Sequence, residues 1–249
     1  STANDNTAVG YGALQVNTIG IQNIGIGTSA LVSNITGSSN VAVGVFSLDA
    51  NTTGQNNTST GLHSLGNNTT ASNNTAFGSF SLFNNTTGTS NVAVGADALV
   101  NNTTASNNTA VGRDALKAST TGGDNTAVGK GALAANTGVQ NQAFGISAMI
   151  NNTSGNQNTA MGAFALMTNT TGGSNVAIGH DALLLNSTGS LNTAVGHEAL
   201  ENNTTNNNTA FGYQAMRANT TGTNNVAVGS NALDANTTAS NNIAIGLSA

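Results

Sequence analysis

The sequence predicts an all-β fold, a parallel β-solenoid or β-roll of about fifteen rungs, each of seventeen residues. Three observations lead there. First, the segment N-T/V-A-V-G recurs along the chain, and the glycine that closes it falls at 10, 27, 44, 61, 78, 95, 112, 129, 145, 162, 179, 196, 212, 229 and 246. Twelve of the fourteen intervals repeat the step from Gly10 to Gly27, and two are one residue shorter. The period therefore has to be read before any local structure. Second, so short a unit cannot hold the helix pairs of helical arrays, which need more than about 30 residues. Third, only 5% of the 249 residues are charged, proline and cysteine are absent, and 31 glycines and 43 asparagines take up the difference. Such residues punctuate short β-rich stretches with turns.

The elements of one rung follow in order. Asn-Thr-Ala-Val-Gly reads as a strand, and its glycine as a corner where positive φ is free of strain. The x-x-A-L stretch that follows reads as a second short strand, and N-T-T-G as the loop into the next rung. Strands of successive rungs pair in parallel, and asparagines in fixed columns stack into amide ladders. No position interrupts the pattern for long enough to hold a separate domain, so residues 1–249 read as a single repeat array. Ser1–Asp5 aligns with the second half of a loop, and Ala249 falls where a leucine would follow, which reads as a segment of a longer chain.

The apolar columns define inside and outside. The Ala8 column is alanine in thirteen of fifteen rungs, with Gly25 and Ser59 the exceptions, and the Leu14 column is leucine in twelve of fourteen. Uniform small-against-large columns suit a narrow interior. Strand neighbours face opposite sides, so Val9 points away from Ala8. The outward column is Val9, Ile26, Val43, Thr60, Phe77, Val94, Val111, Val128, Phe144, Met161, Ile178, Val195, Phe211, Val228 and Ile245. Apart from Thr60 this is an apolar stripe longer than soluble monomers tolerate, and its apolar members are the expected oligomer interface. Burying each Val or Ile contributes roughly 1.5–3 kcal/mol, which favours a homo-oligomer closed around an axis. A symmetric interface would also let Gln142 pair with its own copies. The reverse assignment, with Val9 inside and Ala8 at the interface, is the alternative.

Composition narrows the function classes. Without cysteine there are no disulfides and no thiolate metal ligands. A net charge of −5 with four basic residues argues against nucleic acid and anionic membrane as partners. No apolar run reaches the length of about 18 residues that a membrane span needs, so no membrane insertion by this segment is expected. Neither catalytic residues nor a cofactor or metal site is expected, and the chain does not read as an enzyme. His180-Asp181 and His197-Glu198 match on adjacent rungs, which stacks their imidazoles about 5 Å apart; they read as variable corner positions ahead of a weak metal site. Asp97 and Asp114 stack similarly without a cleft, and Glu201, Arg217 and Asp234 read as a charge ladder of alternating sign. Phe77, Phe144 and Phe211 recur at every fourth rung in the Val9 column, as filling for the apolar stripe.

The loop also carries N-x-[ST] sequons at Asn34, Asn51, Asn68, Asn85, Asn102, Asn152, Asn169, Asn186, Asn203, Asn219 and Asn236. As N-glycosylation sites they would set a row of glycans along one edge. The plainer reading is that N-T-T-G is good turn chemistry.

The motifs N-V-A-V-G (Asn91–Gly95), N-V-A-I-G (Asn175–Gly179) and N-I-A-I-G (Asn242–Gly246) resemble the head repeats of trimeric autotransporter adhesins of the YadA type. The longer pattern G-x-x-A-L-x-x-N-T-T-G-x-x-N-T-A-V-G is similar to the repeats of phage-type and bacterial tail-fibre proteins. The resemblance spans all 249 residues, and departs from the adhesin repeat by the added N-T-T-G loop. It implies a left-handed parallel β-roll and a homotrimer, working as an adhesive stalk or head on a cell surface or virion. The expected function is thus a structural and adhesive extracellular fibre segment, a rigid trimeric rod presenting repeated loops to a host-surface or glycan receptor by avidity. Regular threonine columns suggest an ice-binding solenoid instead, though only eight of fifteen rungs carry Thr at the Thr7 position. A filament subunit whose role is only to assemble is the third reading.

Overall fold

The structure is a computed structural model that describes residues 3–249. Ser1 and Thr2, which open the half-loop noted above, lie outside the described residues. The chain forms two compact units, Ser1–Asp124 and Asn125–Ala249, each built from the same rung. The first holds β1 to β7, at Thr7–Val9, Ile24–Ile26, Val41–Val43, Thr58–Thr60, Thr75–Phe77, Val92–Val94 and Thr109–Val111. The second holds β8 to β15, at Thr126–Val128, Gln142–Phe144, Thr159–Met161, Val176–Ile178, Thr193–Val195, Thr209–Phe211, Val226–Val228 and Ile243–Ile245. Within each unit every strand pairs in parallel with its sequence neighbours. The fold is an all-β parallel β-solenoid of about fourteen turns, and no helix occurs among the described residues. Equivalent atoms of successive rungs lie seventeen positions apart in sequence, as the bond from Asn51 to Asn34 shows.

Register follows the repeat residue for residue: Thr75 pairs with Val92, Ala76 with Ala93, Phe77 with Val94. The two shorter rungs keep it, as Ala127↔Ala143 and Ala194↔Ala210 show. Their missing residue comes out of the loop, where N-T-T-G shrinks to Asn136-Thr137-Gly138 and to Asn203-Thr204-Thr205.

Each rung contains one strand, not the two expected from its sequence. The A-L stretch is a turn, and the reason is visible in its burial. Ala98 and Leu99 are adjacent and both wholly buried, whereas neighbours on a strand face opposite sides. The backbone escapes that alternation by placing the leucine in the left-handed region, with φ +52° at Leu99 and +51° at Leu116. That conformation costs about 1–2 kcal/mol for a residue with a Cβ, and burial of the whole side chain, at about 1.5–3 kcal/mol, offsets it. The turn still joins rung to rung, since Leu82 N–H donates to Ala98 O at 2.9 Å and Leu99 N–H to Ala115 O at 3.0 Å.

The interior follows from the columns. Ala42, Ala76 and Ala93 are fully buried, as are the alanines that precede the leucines from Ala30 onward, while Val9, Phe77 and Val94 on the flanking strand positions face out. The alternative with Val9 inside is therefore excluded. Where serine replaces interior alanine, the hydroxyls bond one another: Ser47 Oγ donates to Ser59 Oγ at 2.8 Å, and Ser64 and Ser81 share a 2.9 Å bond. No buried hydroxyl in that group is left orphaned, as a dry interior requires.

Asparagine forms two interior pillars. The Asn6 column, asparagine in all fifteen rungs, accepts the next rung's backbone: Asn57 N–H donates to Asn40 Oδ1 at 3.0 Å. In the Asn17 column, which supplies the sequons, Nδ2 donates to a carbonyl in its own loop and in most rungs also to the Oδ1 one rung earlier. Asn186 and Asn203 make only the loop bond, leaving Asn169 and Asn186 Oδ1 unpartnered. Asn51 makes both bonds, to Asn34 at 2.8 Å and to Gly54 O at 3.1 Å. Gly54 O also receives Asn40 Nδ2 at 2.8 Å, so both pillars converge on one carbonyl. Asn34, Asn51, Asn68, Asn85, Asn102, Asn152, Asn169, Asn186, Asn203 and Asn219 are completely buried, and Asn236 is half-buried. The sequon asparagines do not line an exposed edge. A polar residue followed by two threonines and a glycine reads locally as a surface loop, but satisfying that loop's carbonyls draws the amide inward.

The closing glycine has two independent reasons to be glycine. Gly44 sits at φ +137°, and a Cβ there would lie 2.8 Å from the carbonyl carbon of Gly61 on the next rung. Strain and rung stacking both exclude a side chain.

Candidate functional site

The outer surface has three different faces, and only two of them carry distinctive chemistry. The first is the strand face. Each three-residue strand turns its middle residue inward and its flanks outward, so the Thr7 and Val9 columns form a flat, mostly apolar surface within each unit. Among the expected interface residues, Val9, Ile26, Phe77, Val94, Phe144, Met161, Ile178, Phe211, Val228 and Ile245 are exposed. Val43, Val111, Val128 and Val195 are half-buried by their neighbours. Gln142 also bonds within its own chain. Its Nε2 donates to Gln140 O at 3.2 Å and its Oε1 accepts from Thr159 Oγ1 at 3.0 Å.

The second face is the corner made by the turn after the closing glycine. Counting from that glycine, positions one, two and five hold all four Lys and Arg residues and all three histidines. They also hold seven of the nine acids (Asp5 and Asp124 are the others) and six of the nine Phe and Tyr residues. These side chains leave the turn outward because Ala and Leu between them fill the interior. A nearly invariant shell thus carries its variable chemistry on one ridge. Sequence reading treated these residues one by one; the shared offset from the glycine was the signal that joins them.

In the first unit, His63 lies flat between Phe46 and Phe80, with ring centroids 4.9 and 5.3 Å away. Phe83 meets His63 edge-on at 5.7 Å. It gains that position because residue 66 is glycine: a Cβ there would be 2.8 Å from Phe83 Cε2. Burial beside this cluster pushes the Asp49 carboxyl above its ordinary range, against its own backbone hydrogen bond and the nearby His63. Further along, Asp114 is held by Lys117 Nζ at 2.8 Å and Arg113 Nε at 3.2 Å. The Asp114 hydrogen bond, with its charge, holds the Lys117 ammonium above its usual value. Asp97 and Asp114 therefore do not form a carboxylate pair free for acid–base work.

In the second unit, the imidazoles of His180 and His197 stack as expected, 5.4 Å apart and 12° from parallel. Tyr213 continues the stack at 5.7 Å, and Phe164 meets His180 edge-on at 5.6 Å. His180 Nδ1 sits 2.8 Å from Asp181, and His197 Nδ1 sits 3.6 Å from Glu198. The expected ladder of Glu201, Arg217 and Asp234 is broken: the ion pair of Arg217 is with Glu198, at 3.5 Å. Gln214 also donates to Glu198. That hydrogen bond, ahead of the neighbouring charges, holds the Glu198 carboxyl below its ordinary range. Burial and then the charge of Glu198 push Glu201 up. Among the described residues no group of three or more His, Asp or Glu is placed to hold a metal ion. Because the rings stack along the rung direction, each covers its neighbour's face and turns its edge to solvent.

The third face is the loop edge. There Thr52 Oγ1 donates to Thr69 O and Thr86 Oγ1 to Thr103 O, each at 3.0 Å. The hydroxyls nearest the backbone are used within the edge itself, and the N-T-T core recurs in most rungs while the residues after it vary.

Together the three faces define a β-solenoid repeat protein with an apolar sheet face and a chemically varied ridge. No protein-family model matches the chain, and no curated protein matches it.

Proposed function

We propose that this chain is a segment of a structural and adhesive extracellular fibre, a homotrimer of left-handed coils displayed on a cell surface or virion. The handedness and the trimer come from the resemblance of its repeats to adhesin heads and tail fibres. The observation that carries the reading is the apolar Val9 column of the strand face, broken only at Thr60, whose members are exposed or half-buried along each unit. Copies of the chain covering that face remove the stripe from water. The ridge then remains outward on every copy, and repeated weak contacts add by avidity to a host-surface or glycan receptor. The ridge carries most of the charges and aromatic rings, so recognition falls to residues such as His180, His197, Tyr213 and Arg217.

Beads coated with the chain test this against cultured epithelial cells and a panel of immobilised glycans. Adhesion that survives Thr53→Val and Thr70→Val on the loop edge but falls with Tyr213→Ala and His197→Ala supports the reading. A chain that assembles yet adheres to nothing would contradict its adhesive part.

A further inference from the structure

The loop sequons place a modification motif on some of the least accessible atoms of the fold, whereas Asn56, Asn67, Asn73, Asn101, Asn107, Asn151 and Asn207, which also open N-x-[ST] triplets, are exposed. In Asn85 both Nδ2 hydrogens are committed, one to Asn68 Oδ1 and one to Gly88 O, each at 2.9 Å. Asn152 repeats this with Asn136 Oδ1 at 2.7 Å and Gly155 O at 2.9 Å. Both side chains are wholly buried. N-glycosylation forms a bond from Nδ2 to the anomeric carbon of a sugar, breaks that carbon's bond to a diphosphate leaving group, and releases one amide proton. The product has one N–H where the rung needs two, and a sugar where the interior is close-packed.

We infer that modification of the buried loop asparagines and rung closure exclude each other in this chain. The open chain is an acceptor at many sites, and the closed solenoid is silent at the buried ones. A glycan added before closure holds its rung open, and a closed rung protects its asparagine. The third residue of the sequon is exposed in nine of the eleven cases, Thr70 and Thr87 among them. The motif can therefore be erased from outside without touching the asparagine ladder. This inference rests on the fold and is independent of the proposed adhesive role.

The test uses the full chain made in bacteria, a soluble N-glycosyltransferase and UDP-glucose, with UDP as the leaving group. Three substrates are compared by site-resolved mass spectrometry: the folded chain, the urea-unfolded chain diluted into the reaction, and its proteolytic peptides. The expected result is glucose on Asn51, Asn85 and Asn152 in the peptides and the freshly diluted chain, and none on those three asparagines in the folded chain over the same time. The modified chain should then fail to regain protease resistance, whereas a chain treated with the transferase only in its folded state, then unfolded and diluted in the same way without the enzyme, carries no glucose on Asn51, Asn85 or Asn152 and regains it. Glucose on those asparagines in the folded chain at the rate seen in peptides would overturn the inference. So would a modified chain that refolds to full protease resistance, or peptides that the transferase does not accept.

Discussion

Asn51 Nδ2 donates to Asn34 Oδ1 at 2.8 Å, across one rung and inside the coil. This bond repeats along the first unit as Asn68 to Asn51, Asn85 to Asn68 and Asn102 to Asn85. All point the same way, so the amide dipoles align and reinforce one another. The series stops at Asn102, whose Oδ1 is buried without a partner, because the next residue of the column is Ser119 and has no amide to donate.

Repairing that stop should stabilise the first unit. Ser119→Asn supplies the missing donor to Asn102, and the expected gain is about 1 kcal/mol. A rise in the urea midpoint with unchanged slope would show it. Asn85→Ala is the opposite experiment: it orphans Asn68 Oδ1 and should cost about 2–3 kcal/mol.

Glycine is required at the rung corner for stacking, not only for φ. Gly95→Ala puts a Cβ 2.7 Å from the Gly112 carbonyl carbon at φ +130°, and should cost about 2–4 kcal/mol in urea unfolding. Gly131 also has positive φ, at +69°, but a Cβ there meets nothing closer than Ile150 Cδ1 at 3.4 Å. Gly131→Asn should therefore stay within about 0.5 kcal/mol of the parent.

The leucine column resists truncation in spite of its unusual backbone. Leu99→Ala leaves a cavity among fully buried neighbours and should cost about 2–5 kcal/mol. An effect below that of surface substitutions would contradict the interior assignment.

Acid acts oppositely on two carboxylates of the ridge. The Asp49 pKa is raised in the fold above its ordinary value of 3.8. The folded state thus binds the proton more tightly, and stability is lost as pH rises from 3.8 through the folded value. Asp49→Asn should raise the urea midpoint at pH 7 and leave it nearly unchanged near pH 3. Glu198 is lowered from 4.5, so its contribution is present above 4.5 and disappears as pH falls through the folded value. Glu198→Gln should therefore lower the midpoint at pH 7 and have little effect near pH 3.

Much of this was legible in the sequence because period, column and alternation are one-dimensional properties. The spacing of the glycines located every rung, and the Ala8 and Val9 columns separated inside from outside. The A-L turn was not legible, since a leucine at φ +52° has the same letter as a leucine in a strand. Two adjacent uniform columns, Ala98 and Leu99, were the available warning that no strand could bury both. The asparagine ladders were legible from their columns, but the burial of the sequon column within one of them was hidden for a different reason. Asn51 begins a good turn by local chemistry, and only the neighbouring rung shows what its amide bonds. The ridge was legible residue by residue as charges and rings, and became a surface once the coil set Phe46, His63 and Phe80 above one another.

The proposed fibre depends above all on further copies of the chain covering the strand face. Light scattering coupled to size exclusion measures this directly on the purified chain at micromolar concentration. The expected mass is three times the 24.4 kDa of one chain, reduced to a single chain by Val94→Lys and Val111→Lys, with the β-sheet circular dichroism retained. A stable monomer of the parent chain, soluble and monodisperse with its apolar face bare, would contradict it.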